Sequence, residues 1–168
     1  MTQNAQASLE QNELIRLYGL FMISWSIVEH VVQCAMWKNL GTDIERAAIV
    51  TAKLQFNPRV QLLKNLLQIS GDHHVEAIKI LGKLEGFAHR NTLVHGQIII
   101  GDPQALTFIK SDGGNVLVKK FKVDQMTDHL IGLNSRTDRL EQLLAVTELD
   151  MQTFINHLVV KAGGIPKT

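Results

Sequence analysis

The feature that most constrains the fold is a long series of apolar residues near the N-terminus that repeat at helical spacing. One set of large side chains in Leu9–Asn39 recurs every three or four residues: Leu14, Leu17, Tyr18, Phe21, Trp25, Val28, Val32 and Met36. Further apolar side chains, such as Ile15, Ile23 and Ile27, lie on the other sides. Because a helix that is apolar nearly all round is buried on more than one side, we expect a central helix that also contributes to a subunit interface.

The rest of the chain predicts further helices. A capping-box sequence, Thr42-Asp43-Ile44-Glu45, opens the second, which runs to about Gln55. Asn57-Pro58 interrupts it, because the residue before proline avoids the helical region. The remaining predicted helices are Pro58–Ser70, His73–His95 with Asp72 as its cap, and Gln125–Lys161 with Asp124 as its cap. The last is long for a globular helix, and Gly132 or Thr147–Asp150 are the places where we expect it to bend.

Residues 97–123 have a different pattern, which is typical of strands. Short apolar or alternating runs are separated by two turn sequences, Gly101-Asp102-Pro103 and Ser111–Asn115. We therefore predict a small antiparallel β-hairpin or meander inserted before the last helix. The fold class is all-α, with four or five helices in an up-and-down bundle. The predicted domain covers residues 9–162, between a disordered lead-in at 1–8 and a tail at 163–168.

Composition limits the classes of function. The 168 residues suffice for one domain with a real core, and a net charge of +1 is low for a non-specific nucleic-acid binder. The only cysteine is Cys34, which excludes an intramolecular disulfide and a cysteine-based zinc site. The polar start lacks the pattern of a signal peptide, and no apolar run reaches the roughly 18 residues of a membrane span. We expect a cytoplasmic protein without a membrane segment.

The end of the predicted third helix, Lys83–Gly96, carries an unusual group of polar residues. Asn91 and His95 are four residues apart and therefore stack on one face of a helix. Arg90 lies about 140° from His95 around the same helix. The apolar stripe of the helix would thus become polar in its last two turns, and Gly96 is well placed to end it.

This string resembles the signature of the HEPN superfamily (higher eukaryotes and prokaryotes nucleotide-binding domain). There an arginine is followed after four to six residues by a histidine, often with a polar residue after the arginine. Arg90, Asn91 and His95 match it with a gap of four residues. The resemblance implies a helical domain that forms a homodimer, with two copies of the motif around one cleft. It also implies a metal-independent endoribonuclease without a cofactor, as the toxin part of a defence or toxin–antitoxin system, where an antitoxin protein would be a partner.

The residue types suit metal-free RNA cleavage, which needs a base, an acid and a cation near the phosphate. In this interpretation His95 is the acid/base, Arg90 the phosphate clamp and Asn91 an orienting residue. Glu29 is a further candidate, because a carboxylate within the apolar stripe of the first helix needs a partner, and Arg90 could be that partner. A lysine cluster, Lys119, Lys120 and Lys122, is a candidate for guiding RNA.

Alternatives remain at this stage. Arg90 could pair with a carboxylate, and His95 could interact with the end of its own helix. The lysines could be a solvated strand edge that prevents aggregation. The domain would then be a non-catalytic HEPN-like module that binds a nucleotide, RNA or a protein, or a scaffold without a ligand. The adjacent His73 and His74 have no further ligands at suitable spacing, so no metal site is predicted.

Overall fold

The computed structural model describes residues 3–102, 104–112 and 114–161, and this part of the chain is mostly helical with one small sheet inserted. The helices are α1 Gln3–Leu40, α2 Ile44–Thr51, α3 Phe56–Ser70, α4 Val75–Glu85, α5 Arg90–His95, α6 Val123–Leu144 and α7 Glu148–Lys161. The strands are β1 Gln97–Asp102, β2 Ala105–Asp112 and β3 Asn115–Phe121. Single 3₁₀ turns, Asp72–His74 and Phe87–His89, precede α4 and α5.

The chain divides into two compact units, and the divisions fall inside α1, at the end of α4 and inside α6. The first unit comprises residues 1–26 and 86–135, which include the start of α1, the sheet and the candidate motif. The second unit comprises residues 27–85 and 136–168, which are helical wherever the structure describes regular elements. Each unit has its own buried apolar residues and is described separately below.

The core of the first unit combines one side of α1 with one face of the sheet. Leu14, Phe21, Phe108, Met126 and Leu133 are fully buried there. The hydroxyl of Tyr18 on α1 donates a hydrogen bond to the carbonyl oxygen of Leu93 on α5 (3.0 Å), and its ring lies 5.4 Å from that of Phe108. These contacts fix α5 against the N-terminal part of α1.

The sheet is an antiparallel meander with strand order β1-β2-β3, so this prediction is confirmed. Its buried face carries Leu106, Phe108 and Phe121, because alternate residues of a strand point to the same side. On the other face Ile109 lies opposite Val118, which is exposed. The sheet therefore buries one side only.

The second unit is built from the rest of α1 with α2, α3, α4, α7 and the end of α6. Leucine and valine dominate its core: Val28, Val32, Val60, Leu63, Leu67, Leu81, Leu84, Leu140 and Leu144. Ion pairs join separate elements at its surface, including Lys38–Asp150 (2.8 Å) and Lys64–Glu85 (3.3 Å). The side chains of Thr147 and Asp150 exchange hydrogen bonds with each other's backbone N–H groups at the start of α7, as in a capping box.

Several predicted boundaries differ from the structure. α1 begins at Gln3, inside the segment 1–8 assigned to a lead-in, because no glycine or proline stands before Gly19 to stop a helix. The cap of α2 is Asp43 rather than Thr42, since its carboxylate accepts the N–H of Arg46 (2.8 Å). The predicted last helix is two helices, α6 and α7, separated just before Thr147–Asp150. The predicted tail, 163–168, lies outside the described residues.

The length and apolar composition of helix α1 bear on whether the protein is located in a membrane. Over Ala7–Leu40 it is long and apolar enough to cross a membrane by length and composition. The buried core helix of a soluble protein meets the same criteria, and 44% of the most apolar window is buried here. This is weak evidence for a membrane span, and the cytoplasmic location remains a prediction.

Candidate functional site

The backbone just before the motif is interrupted. Ala88 (φ 49°, ψ 32°) and His89 (φ 53°, ψ 36°) are both left-handed, although neither is a glycine. Each such residue costs roughly 1–2 kcal/mol relative to right-handed helix. The continuous helix predicted over His73–His95 is therefore wrong: the structure has a 3₁₀ turn, α4, a kink and then the short α5.

The kink decides which side chains of the motif reach solvent. In one continuous helix, Asn91 and His95 would share the buried stripe of Leu81 and Leu84. In the structure Asn91 and His95 are exposed, whereas Arg90, Thr92 and Leu93 are buried. The stripe thus does not continue into α5, and the two residues best suited to contact a ligand are on its outer side.

Arg90 occupies a different environment from the one predicted. Its side chain is only 8% exposed, and its guanidinium carbon lies 5.1 Å from the ring centroid of Trp25, which is 2% exposed. This is a cation–π contact within one chain. Its Nη1 donates a hydrogen bond to Oδ1 of Asn91 (2.9 Å). The predicted role of Arg90 as an exposed phosphate clamp does not fit this burial, because a clamp must reach the phosphate.

Asn91 and His95 form the exposed part of the motif. The hydrogen bond from Arg90 engages Oδ1 of Asn91, so the amide NH2 of Asn91 is oriented as a donor away from the arginine. His95 follows one helical turn later, in the last turn of α5. Because residues four apart are neighbours on a helix, an amide donor and an imidazole stand side by side at the surface.

Gly96 ends α5, as predicted, but in an extended conformation (φ −78°, ψ 153°) rather than a left-handed one. Its N–H donates to the carbonyl oxygen of Thr92 (2.8 Å). A Cβ at this position would clash with that same carbonyl oxygen. Glycine is therefore required here by the close approach of the backbone, which brings the chain directly from His95 into β1.

Glu29 is half-buried on the part of α1 that belongs to the second unit. Arg90 belongs to the first unit. The predicted contact between the two side chains therefore stays a prediction.

The structure brings Lys119 and Lys120 together at a groove of about 340 Å³ in the first unit. The other lining residues are His89, Phe121, Gln125, Asp128 and His129. Lys120 also pairs with Asp102 (3.1 Å). Lys122 is exposed and is not part of the lining; its N–H donates to Oε1 of Gln125 (3.0 Å) at the start of α6.

Sequence reasoning missed the two histidines of this groove. His89 and His129 both lie next to Phe121, with ring-centroid distances of 6.3 Å and 5.8 Å to it. Burial of His129 lowers its pKa, the charge of His89 adds to that effect, and Asp128 opposes it. Because the histidines are forty residues apart and flank an insertion, no local spacing in the sequence indicates that they meet.

Two other kinds of site find no support in the described parts of the chain. Burial raises the pKa of the Cys34 thiol to about 12, with a further contribution from Asp150, and a thiol that stays protonated is a poor nucleophile. Among residues 3–102, 104–112 and 114–161, no three His, Cys, Asp or Glu side chains are grouped so that they could hold a metal ion.

Comparison of the chain with protein-family models, with curated proteins and with solved structures found no match.

Proposed function

We propose that this protein is a metal-independent endoribonuclease of HEPN type, with His95 and Asn91 contacting the RNA. The observation that carries this proposal is the exposed pair of Asn91 and His95 on α5, with Arg90 holding the asparagine amide from beneath. Imidazole is suited to proton transfer near neutral pH, and an oriented amide N–H is suited to a phosphoryl oxygen. An acid/base and an anion donor thus stand on one surface.

The chemistry is a transphosphorylation within the RNA strand. Neutral His95 takes the proton of a 2′-hydroxyl while that oxygen forms a bond to the adjacent phosphorus. The bond from phosphorus to the 5′-oxygen breaks, and this oxygen needs a proton from an acid. Asn91 donates to a phosphoryl oxygen as charge develops. Arg90 is a positioning residue in this scheme, because its guanidinium is buried against Trp25 and holds Asn91.

One chain supplies one His95, so the proposed acid is His95 of a second copy. A homodimer with two motifs around one cleft would provide both proton-transfer groups. Two exposed isoleucines on the N-terminal part of α1, Ile15 (45%) and Ile23 (61%), support an interface on that helix.

The proposal includes the up-and-down arrangement of four or five helices, a role as a toxin or defence component, and an antitoxin partner in the cytoplasm.

A second candidate function is a non-catalytic HEPN-like module that binds a nucleotide, RNA or a protein. The burial of Arg90 favours it, because a guanidinium that is 8% exposed already serves a contact within its own chain. Asn91 and His95 would then bind a ligand without cutting it.

The proposal is tested by incubating the full chain with mixed-sequence RNA in EDTA. The expected products carry 2′,3′-cyclic phosphate ends, because the 2′-hydroxyl is the nucleophile. The same RNA with 2′-O-methyl groups is the matched substrate control and should stay intact, since it has no proton to lose. Absence of cleavage by folded, dimeric protein would favour the binding module. Cleavage of the methylated RNA, or cleavage that EDTA abolishes, would contradict the mechanism.

A further inference from the structure

The groove between β3 and α6 differs in chemistry from two other cavities of comparable volume in the part of the chain that the structure describes. One of these, about 360 Å³ in the second unit, is lined mostly by Ala48, Ile49, Ala52 and Phe154. Another, about 380 Å³, lies beside Val75 and Ile78. The groove of about 340 Å³ in the first unit instead brings together two histidines, two lysines and one aspartate. It is large enough for a ligand of nucleotide size, at the lower end of common ligand pockets.

The lysines of the lining, Lys119 and Lys120, are adjacent on β3. Lys119 is half-buried on β3. Burial of an ammonium group is tolerated when an anion is available to compensate its charge. Lys120 shares its charge with Asp102 (3.1 Å), and Asp128 adds one negative charge to the wall. Lys119 and the two imidazoles are therefore the groups that remain to neutralise a bound anion.

The strained backbone supports a functional role for the groove. His89 adopts φ 53°, which costs energy for a residue with a Cβ, and this conformation accompanies a ring position 6.3 Å from Phe121. Strained residues persist where the surrounding structure holds them, and they cluster at functional sites. The strain thus places an imidazole at the groove as well as exposing Asn91 and His95.

We propose that the groove lined by Lys119, His89 and His129 binds a phosphoryl group, carried either by an RNA backbone or by a free nucleotide or phosphate. Lys119 supplies a fixed positive charge, and each histidine supplies N–H donors and a second charge when it is protonated. This binding is independent of the proposed cleavage at His95, since none of the groove residues belongs to that motif.

Binding has a consequence that can be measured on the histidines. The charged and titratable groups that line the groove with His129 are His89, Asp128, Lys119 and Lys120, and of these His89 and Asp128 act on the pKa of His129. A bound phosphoryl anion favours the protonated imidazole, so it raises the pKa of His129 and opposes the effects of burial and of His89. The free groove should hold mostly neutral His129 at neutral pH, and the occupied groove should take up protons.

The experiment follows the imidazole NMR signals of the full chain, assigned with His89→Gln and His129→Gln. The probes are inorganic phosphate, adenosine monophosphate and a mixed-sequence 2′-O-methyl RNA hexamer, which resists cleavage. We expect saturable shifts of both groove histidines and an increase of at least about 0.5 pH unit in the titration midpoint of His129. The variant Lys119→Gln should weaken binding at least about fivefold. Lys110→Gln, in the same sheet but outside the lining, is the matched control and should leave binding unchanged.

The three probes distinguish the sources of the phosphate. Saturation by phosphate or the mononucleotide identifies a site for a free ligand. Saturation by the hexamer alone, with affinity that falls steeply with salt, identifies a backbone phosphate. Unchanged signals of His89 and His129 with every probe would overturn the proposal, as would equal weakening by Lys119→Gln and Lys110→Gln. Shifts confined to His95 would also overturn it, while leaving the proposed cleavage site intact.

Discussion

The two units of the chain use charged side chains differently. In the second unit, charged groups join helices at the surface: Lys38 pairs with Asp150, Lys64 with Glu85 and Arg139 with Glu76. In the first unit, Arg90 is buried on the ring of Trp25, and the rings of His89 and His129 lie next to that of Phe121. Among the first kind, Arg139 and Glu76 are exposed and their pair contributes little to stability, whereas the other two pairs are partly shielded from solvent. Of the second kind, Arg90 is buried and His129 half-buried, and in such low-dielectric surroundings polar interactions are stronger than in water.

The left-handed alanines show the same contrast. Ala88 precedes the motif in the first unit, and Ala145 connects α6 to α7 in the second, each with φ 49°. The turn after Ala145 is followed by the capping contacts of Thr147 and Asp150. The turn at Ala88 is followed by Arg90, Asn91 and His95. The same left-handed backbone conformation joins two helices in the second unit and precedes the candidate site in the first.

The largest expected effect concerns the buried ring beneath Arg90. Trp25→Ala should lower the free energy of unfolding by about 3–5 kcal/mol, because a fully buried ring and its cation–π contact are lost together. Trp37→Ala is the matched control, since Trp37 is half-buried in the second unit and should cost clearly less. Urea unfolding measures both. A larger loss at Trp37 would reverse the comparison.

A smaller effect is expected for the best-connected carboxylate of the second unit. Asp150→Ala should cost about 1–2 kcal/mol, because it removes both the carboxylate that accepts the N–H of Thr147 at the start of α7 and the pair with Lys38. Asp150→Asn keeps an oxygen for capping and should cost less. The free energies of unfolding of the two variants separate the capping contribution from the ion pair. If both variants lose the same amount, the cap does not contribute.

Replacing either left-handed alanine should raise stability slightly. Ala88→Gly and Ala145→Gly relieve the same strain, and each should increase the free energy of unfolding by up to about 1 kcal/mol. RNA cleavage should fall only in Ala88→Gly, because the added freedom loosens the presentation of Asn91 and His95. Equal cleavage by the two variants would mean that the kink before α5 has no role in the site.

The smallest expected effect is a dependence of stability on pH. Since burial lowers the pKa of His129 in the folded state, the unfolded chain binds the proton more readily. Stability should be complete above the unfolded pKa of about 6.5 and should fall as the pH drops below it. His129→Gln should remove part of this loss. Burial also lowers the pKa of His74 in the second unit, so His74 contributes to the pH dependence in the same direction. An unchanged pH profile in His129→Gln would contradict the assignment.

The sequence predicted those features that local residues determine. Turn residues marked the meander. Of the two places predicted for a bend in the last helix, Thr147–Asp150 lies at the division between α6 and α7, whereas Gly132 lies inside α6. The kink at Ala88 and His89 could not be predicted, because neither residue disfavours a helix strongly and the helical spacing of the apolar stripe is kept up to Ala88. Its strain is offset by tertiary contacts such as Tyr18 with Leu93. The burial of Arg90 and the meeting of His89 with His129 likewise depend on contacts distant in sequence.

The most direct test of the central claim is the cleavage rate of mixed-sequence RNA in EDTA by wild type, His95→Ala and His73→Ala. His73 is exposed in the second unit, so its variant controls for purification and for loss of an imidazole. We predict a decrease of about 10²–10⁴-fold in His95→Ala, the usual contribution of an acid/base, and an unchanged rate in His73→Ala. Equal rates for all three proteins would contradict the assignment of His95.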